Sequence, residues 1–256
     1  MNLIRSLIHM AWILVTVIPW GLALVIISVR VRGTPLWWFA VNWMRVVIWG
    51  TRVILGIRVQ VRGMENLPQG HESAAILLAK HQSALETLLL PTLMPHPLAF
   101  VFKRELLRIP FFGWSMARLD MIHIDRESRA QALKHVVEQG RVLLARGVWI
   151  IMFPEGTRIA RGQRGTYQTA GTRLAVDTGA PVIPIAVSSG RCWPRKGFIK
   201  YPGLVEVSIG PAIPSAGRDP KALMREVEAW IEAEMRRLDP QAYSEAQHLA
   251  GTAPSA

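Results

Sequence analysis

Leu7 to Val29 is an almost wholly apolar stretch, interrupted only by His9, Thr16, Pro19 and Ser28, and no other feature of the chain limits its folding as strongly. A helix over these residues is long enough to cross a hydrocarbon core of about 30 Å. Pro19 is expected to kink it, and Arg30, Arg32 and Gly33 end it. The stretch is too long for the apolar part of a signal peptide, and no small-x-small cleavage pattern follows, so it reads as retained. A second stretch, Leu36 to Leu55, is apolar but carries Asn42, Arg45 and Arg52. Those groups suit a helix lying in the interface better than one crossing the bilayer. Together the two stretches read as a helical hairpin embedded in one leaflet, or as a simple span by the first of them.

Charge supports a membrane setting. The chain of 256 residues carries a net charge of +12, yet only 19% of it is charged and half is apolar. Residues 1–64 contain Arg5, Arg30, Arg32, Arg45, Arg52, Arg58 and Arg62 and no acid, and six of the ten Trp precede residue 50. Arg and Trp on an apolar background suit the headgroup region of a bilayer, where each basic residue near an anionic leaflet contributes roughly 1 kcal/mol. Nucleic-acid binding, the other reading of so basic a chain, expects the cations on a polar folded face. Here they are threaded through Trp-Ile-Val runs, so no nucleic-acid partner is expected. One cysteine excludes a disulfide framework and a cysteine-built zinc site.

From residue 57 the pattern changes. Ile57 to Arg62 alternates as a strand does, and short runs rich in Val and Ile follow: 74–79, 98–102, 121–124, 148–153, 182–187 and 204–209. Helical patterns lie between several of them, over 81–93, 128–145 and 168–177. Alternating strands and helices predict an α/β fold, a central mostly parallel or mixed sheet flanked by helices, preceded by an N-terminal membrane-embedded helical segment. Pro184 inside an apolar strand removes a ladder donor, which implies an edge or a bulge. A last helix is expected from Asp219 as cap and Pro220 at the first helical position. The predicted organisation is a membrane-associated hairpin or anchor over 1–56, an α/β domain over 57–239 and a disordered tail over 240–256.

Three segments carry residues suited to chemistry. In Lys80-His-Gln-Ser-Ala-Leu-Glu86, a regular helix would separate His81 from Glu86 by about 140°. With His81 just before the first turn, the ring folds back over the helix start. Glu86 can then fix the tautomer while the other ring nitrogen accepts a proton; taken alone, the pair also fits a satisfied histidine beside a solvated glutamate. A zinc pair is disfavoured, because the HExxH spacing and a third ligand are both absent, so no metal is expected. Phe153-Pro-Glu-Gly-Thr-Arg158 follows a strand and suits a tight turn whose N–H groups face an anion, with the Arg158 fork matching a phosphate. Glu155 fits such a site only if it holds Arg158 or another cation. Taken alone, that segment also fits an ordinary loop. Lys103 leaves a strand, where it can reach a phosphate or stand as a solvated charge, and Arg126 is a base at another strand end.

These pieces, in this order, resemble the glycerolipid acyltransferase family, nearest to its bacterial 1-acyl-glycerol-3-phosphate acyltransferase members. His81 to Glu86 resembles the family's His-x4-Asp block, Met121 to Arg126 the second, Phe153 to Arg158 the third without change, and Pro181 to Ile185 the fourth. The segment Lys103-Arg-Glu-Leu with Ile109 to Trp114 also resembles the family's stretch just after its first block. The likeness spans about residues 73–213. Departures include Glu86 in place of Asp, Lys80 where Asn is common before the histidine, Asp120 and His123 in the second block, and Gln168 where a lysine often comes after the third.

The resemblance implies transfer of an acyl group from a thioester to the hydroxyl of lysophosphatidic acid. His81 would be the base and Glu86 its brace. Lys103, Arg126, Arg158, Gly156 and Thr157 would hold the acceptor phosphate, and Ser83, Glu155 and Arg173 would support. No cofactor is implied; acyl-carrier protein or coenzyme A would carry the acyl group. The expected setting is a bacterial inner membrane rich in anionic lipid, with the catalytic domain facing the cytoplasm. Gln168 favours an alternative, another lyso-lipid acceptor, with Arg164 or Arg173 compensating for the missing lysine if the acceptor keeps its phosphate. A membrane-bound scaffold without catalysis is a third reading, opposed by the presence of His81, Glu86 and Arg158. Cys192, with no base beside it, is expected to be structural. No Gly-x-Ser-x-Gly elbow occurs, which argues against an α/β-hydrolase.

Overall fold

The computed structural model describes residues 1–70, 74–124 and 129–244. Its elements run α1 (Asn2–Ile27), α2 (Thr34–Leu55), β1 (Ile57–Arg62), β2 (Ile76–Ala79), α3 (Leu85–Leu93), β3 (Leu98–Lys103), α4 (Phe112–Met116), β4 (Ile122–Ile124), α5 (Arg129–Leu144), β5 (Trp149–Met152), α6 (Ala170–Thr178), β6 (Val182–Val187), β7 (Gly203–Ile209) and α7 (Pro220–Leu238). The seven strands form one sheet in the order β1-β7-β6-β2-β5-β3-β4. All neighbours are parallel except β6 and β7, so the sheet is mixed, as the alternating pattern implied.

The central strands β2 and β5 are buried at every position, which is why they read as continuous apolar runs rather than alternating ones. One face of the sheet packs against α3 and α2 through Leu85, Leu89, Leu90 and Val41. The other packs against α5, α6 and α7 through Val136, Leu174, Leu223, Val227 and Ile231. The α7 start follows its sequence signal, with the Asp219 carboxylate accepting from Ala222 N at 2.8 Å and Pro220 opening the helix.

Pro184 lies in an interior strand, between β2 and β7. Its missing donor falls where the antiparallel register slips by one residue, between the pairs Ile185↔Ile209 and Val182↔Ile213. The bulge branch of the proline expectation therefore holds, and the edge branch does not. The expected disordered tail needs a correction at its start. Residues 240–244 form a helical turn with Ala242 and Tyr243 buried. Gly162 has φ +76° and a Cβ there would lie 2.4 Å from the Ala242 carbonyl, so the turn packs tightly on that loop. Residues 245–256 lie outside the described part.

The first two helices pair as a hairpin. Glycine makes the close approach possible: a Cβ on Gly50 would strike the Trp12 ring at 2.4 Å. Trp12 Nε1 donates to Val46 O and Trp37 Nε1 donates to Leu98 O, the second bond tying α2 to the sheet. On α1, Leu3, Ile4, Leu7, Ile8, Val15 and Ile26 remain exposed. Among the described residues, α1 is the one helix long and apolar enough to cross a membrane.

Candidate active site

The site lies at the carboxyl ends of β2, β5 and β3, the crevice where open α/β sheets place their ligands. Helix α3 starts at Leu85, four residues later than the pattern from His81 suggested. Side chains replace the helical ladder in the intervening turn. Glu86 folds back onto Gln82 N at 2.9 Å and Ser83 N at 3.0 Å, and Ser83 Oγ accepts from Leu85 N at 2.8 Å. This is the reach-back of a capping carboxylate, favoured by the positive end of the helix.

The same carboxylate meets the histidine. His81 Nδ1 donates to Glu86 Oε2 across 2.6 Å, and Ser189 donates its hydroxyl proton to Glu86 Oε1. The Glu86 side chain is fully buried, whereas that of His81 is 12% exposed. The ring stacks on Phe153 with centroids 3.9 Å apart. With Nδ1–H committed to Glu86, Nε2 is the basic nitrogen. The main chain of His81 is held as firmly: its N–H donates to Glu155 Oε2 at 3.0 Å, and its carbonyl accepts from Ile159 N at 2.7 Å. The extra methylene of Glu86 is thus absorbed by the turn, without loss of the His–carboxylate contact.

Behind this turn lies a buried charged cluster. Lys80 Nζ donates to Glu155 Oε1 and to Glu232 Oε1, both at 2.7 Å, and to Gln163 O at 3.1 Å. Glu155 therefore does hold a cation, Lys80 rather than Arg158. Burial pushes the Glu155 carboxyl up from its usual range, and the adjacent Lys80 ammonium opposes that rise. Tyr167 donates to Glu232 Oε1 at 2.8 Å. Burial, with Glu155 and Glu232 close by, pushes its phenol well above the usual value, so it acts as a donor.

The rim differs. Gly156 takes φ +66° with open space around a Cβ, so its backbone conformation requires glycine and room does not. Its N–H donates to Phe153 O within the turn, at 2.9 Å. Thr157 and Arg158 are exposed on the outside of the turn, and Lys103 is exposed at the end of β3. Arg126 lies outside the described residues. Arg173 is exposed on α6, which covers the sheet face opposite α3. Arg164 is tied to Glu228 on α7 at 2.7 Å. Burial, opposed by Arg191, pushes the Cys192 thiol up; its sulfur lies 3.9 Å from Leu204 O.

An acyltransferase family model matches residues 58–188, the stretch that holds this turn and the central strands. The chain belongs to that acyltransferase family. The 1-acyl-sn-glycerol-3-phosphate acyltransferase of Pseudomonas aeruginosa is 48% identical over 202 residues, spanning 78% of this chain and 77% of that protein. The mouse 1-acyl-sn-glycerol-3-phosphate acyltransferase alpha is 29% identical over 211 residues, 82% of this chain and 71% of the relative. The crystal structure of the 1-acyl-sn-glycerophosphate acyltransferase from Thermotoga maritima superposes with a TM-score of 0.76 at 24% identity, covering 93% of this chain and 97% of that one. At that identity the likeness establishes a shared fold.

Several residues of this acyltransferase site escape a reading by motif. Ser189 follows β6 and reaches Glu86 from 103 residues away. Glu232 joins Lys80 from 152 residues away. Its one local signal is an acid on the buried side of α7, between Ile231 and Met235. Lys80 carried a clearer signal, a cation directly after an all-apolar strand.

Proposed function

We propose that this acyltransferase moves an acyl group from a thioester to the free hydroxyl of lysophosphatidic acid, giving phosphatidic acid. The observation that carries the reading is the His81 Nδ1–Glu86 contact of 2.6 Å, which leaves Nε2 as the base. The names of the relatives, one of them 48% identical, support the acceptor. His81 Nε2 takes the acceptor's hydroxyl proton as the oxygen attacks the thioester carbonyl carbon. The oxygen–carbon bond forms and the carbonyl becomes a tetrahedral oxyanion. When that collapses, the carbon–sulfur bond breaks, and the imidazolium returns its proton to the departing thiolate. Glu86 stabilises the transient imidazolium and fixes its orientation.

Lys103, Arg158 and Arg126 grip the acceptor phosphate, with Gly156 and Thr157 shaping the turn that presents Arg158. Ser83 and Glu155 serve the floor. Arg173 supports from α6, and Arg164 is paired with Glu228. Residues 1–56 form the membrane-associated hairpin and 57–239 the catalytic domain. Exposed apolar residues on α1, with Trp49 and Val53 on α2, support insertion into one leaflet. The arginines of residues 1–64 favour the anionic cytoplasmic side of a bacterial inner membrane, with acyl-carrier protein or acyl-coenzyme A as donor.

The test compares acceptors. Purified protein with an acyl thioester should form phosphatidic acid from lysophosphatidic acid at a kcat/KM at least about tenfold above that for a lyso-lipid whose phosphate is esterified. Equal or reversed preference would reject the phosphomonoester acceptor.

A further inference from the structure

Lys80 is fully buried, and its three ammonium protons each have an acceptor, Glu155 Oε1, Glu232 Oε1 and Gln163 O. The acceptors come from two parts of the chain: Glu155 and Gln163 from the connection between β5 and α6, and Glu232 from α7. Glu155, held by Lys80 through one oxygen, holds the His81 N–H through the other. The cluster is thus one covalent step and one hydrogen bond from the base. It also has an imbalance, two carboxylates to one ammonium, and Glu232 Oε2 is buried without a partner among the described residues. Charges out of water are costly unless paired, and removing one partner of such a set costs more than removing both.

We propose that Lys80 and Glu232 are positioning residues for acyl transfer: the Lys80 ammonium, clamped between Glu155 and Glu232, fixes the main chain of His81 and so makes α7 part of the catalytic apparatus. The inference rests on His81 being the base. Without Lys80, Glu155 and Glu232 face each other in a buried space, with only the Tyr167 phenol donating between them and Tyr243 and Glu228 nearby. One acid must then take up a proton or turn away. Glu155 loses its grip on the His81 N–H, and Nε2 moves off the acceptor hydroxyl. Small displacements of this kind cost rate rather than substrate affinity. Neutralising Glu232 as well removes the repulsion and lets Glu155 stay on His81 N and Gly165 N.

The test measures kcat, KM for acceptor and donor, and Tm for the full-length wild type, Lys80→Met, Glu232→Gln and the double variant, with His81→Ala alongside. Lys80→Met is expected to lower kcat about 30-fold while each KM stays within about twofold. The double variant should be at least about fivefold faster than Lys80→Met. Glu232→Gln, which keeps the shape and one acceptor oxygen, should lose about threefold in kcat at a nearly unchanged Tm. A double variant no faster than Lys80→Met, or Glu232→Gln with wild-type kcat, overturns the proposal. If Lys80→Met does not fold, Glu232→Gln decides alone by the same criterion. An inactive His81→Ala beside fully active cluster variants sinks only this inference, whereas a fully active His81→Ala sinks the base itself.

Discussion

The floor of the site and its rim are built on opposite terms. On the floor, Lys80, Glu86 and Glu155 are buried, and the Lys80 ammonium, the Glu86 carboxylate and the His81 and Gln82 N–H groups find their partners within the chain. On the rim, the Lys103 and Arg158 side chains are exposed and have no ion pair or hydrogen bond among the described residues. The protein completes its floor by itself, which preorganises a base whose place must be accurate to a fraction of an ångström. It leaves its rim cations to a partner that arrives with its own negative charge. The floor should therefore set the rate of chemistry, and the rim the affinity for the acceptor.

Mutations can break that division. The largest effect is expected for His81→Ala, a fall in kcat of at least about 100-fold, the size of a general-base contribution, read by product formation at saturating acceptor. Glu86→Gln comes next: it keeps the shape but loses the charge that stabilises the imidazolium. Its kcat should drop by about tenfold or more, with KM little changed, in the same assay. For Arg158→Ala the expected change is a rise of about tenfold in acceptor KM, with kcat within about threefold, from initial rates across acceptor concentrations. The smallest effect belongs to Cys192→Ser. Its activity should match wild type, and the unmodified thiol, pushed up by burial, should resist a maleimide at neutral pH in folded protein while reacting after denaturation.

Much of the fold was legible because burial leaves a local imprint. β1 and β6 occupy the stretches their patterns indicated, and α7 starts at the Asp219-Pro220 signal. The start of α3 was less legible, since the apolar pattern does not show that side-chain acceptors, not the helical ladder, bind the N–H groups of residues 82 and 83. The position of Pro184 required the sheet order, which depends on pairings across the whole chain. In the site, the motif residues His81, Glu86 and Glu155 could be singled out. The partner of Glu155 could not, because Glu232 comes from a distant helix and Lys80 was read only as a departure from a pattern.

The most direct measurement is a pair of full acceptor saturation curves, His81→Ala and Arg158→Ala recorded side by side with the wild type. The first curve should flatten at a plateau at least about 100-fold lower with its half-saturation point in place. The second should reach nearly the wild-type plateau at about tenfold higher acceptor. Two curves displaced in the same parameter would contradict the separation of a catalytic floor from a binding rim.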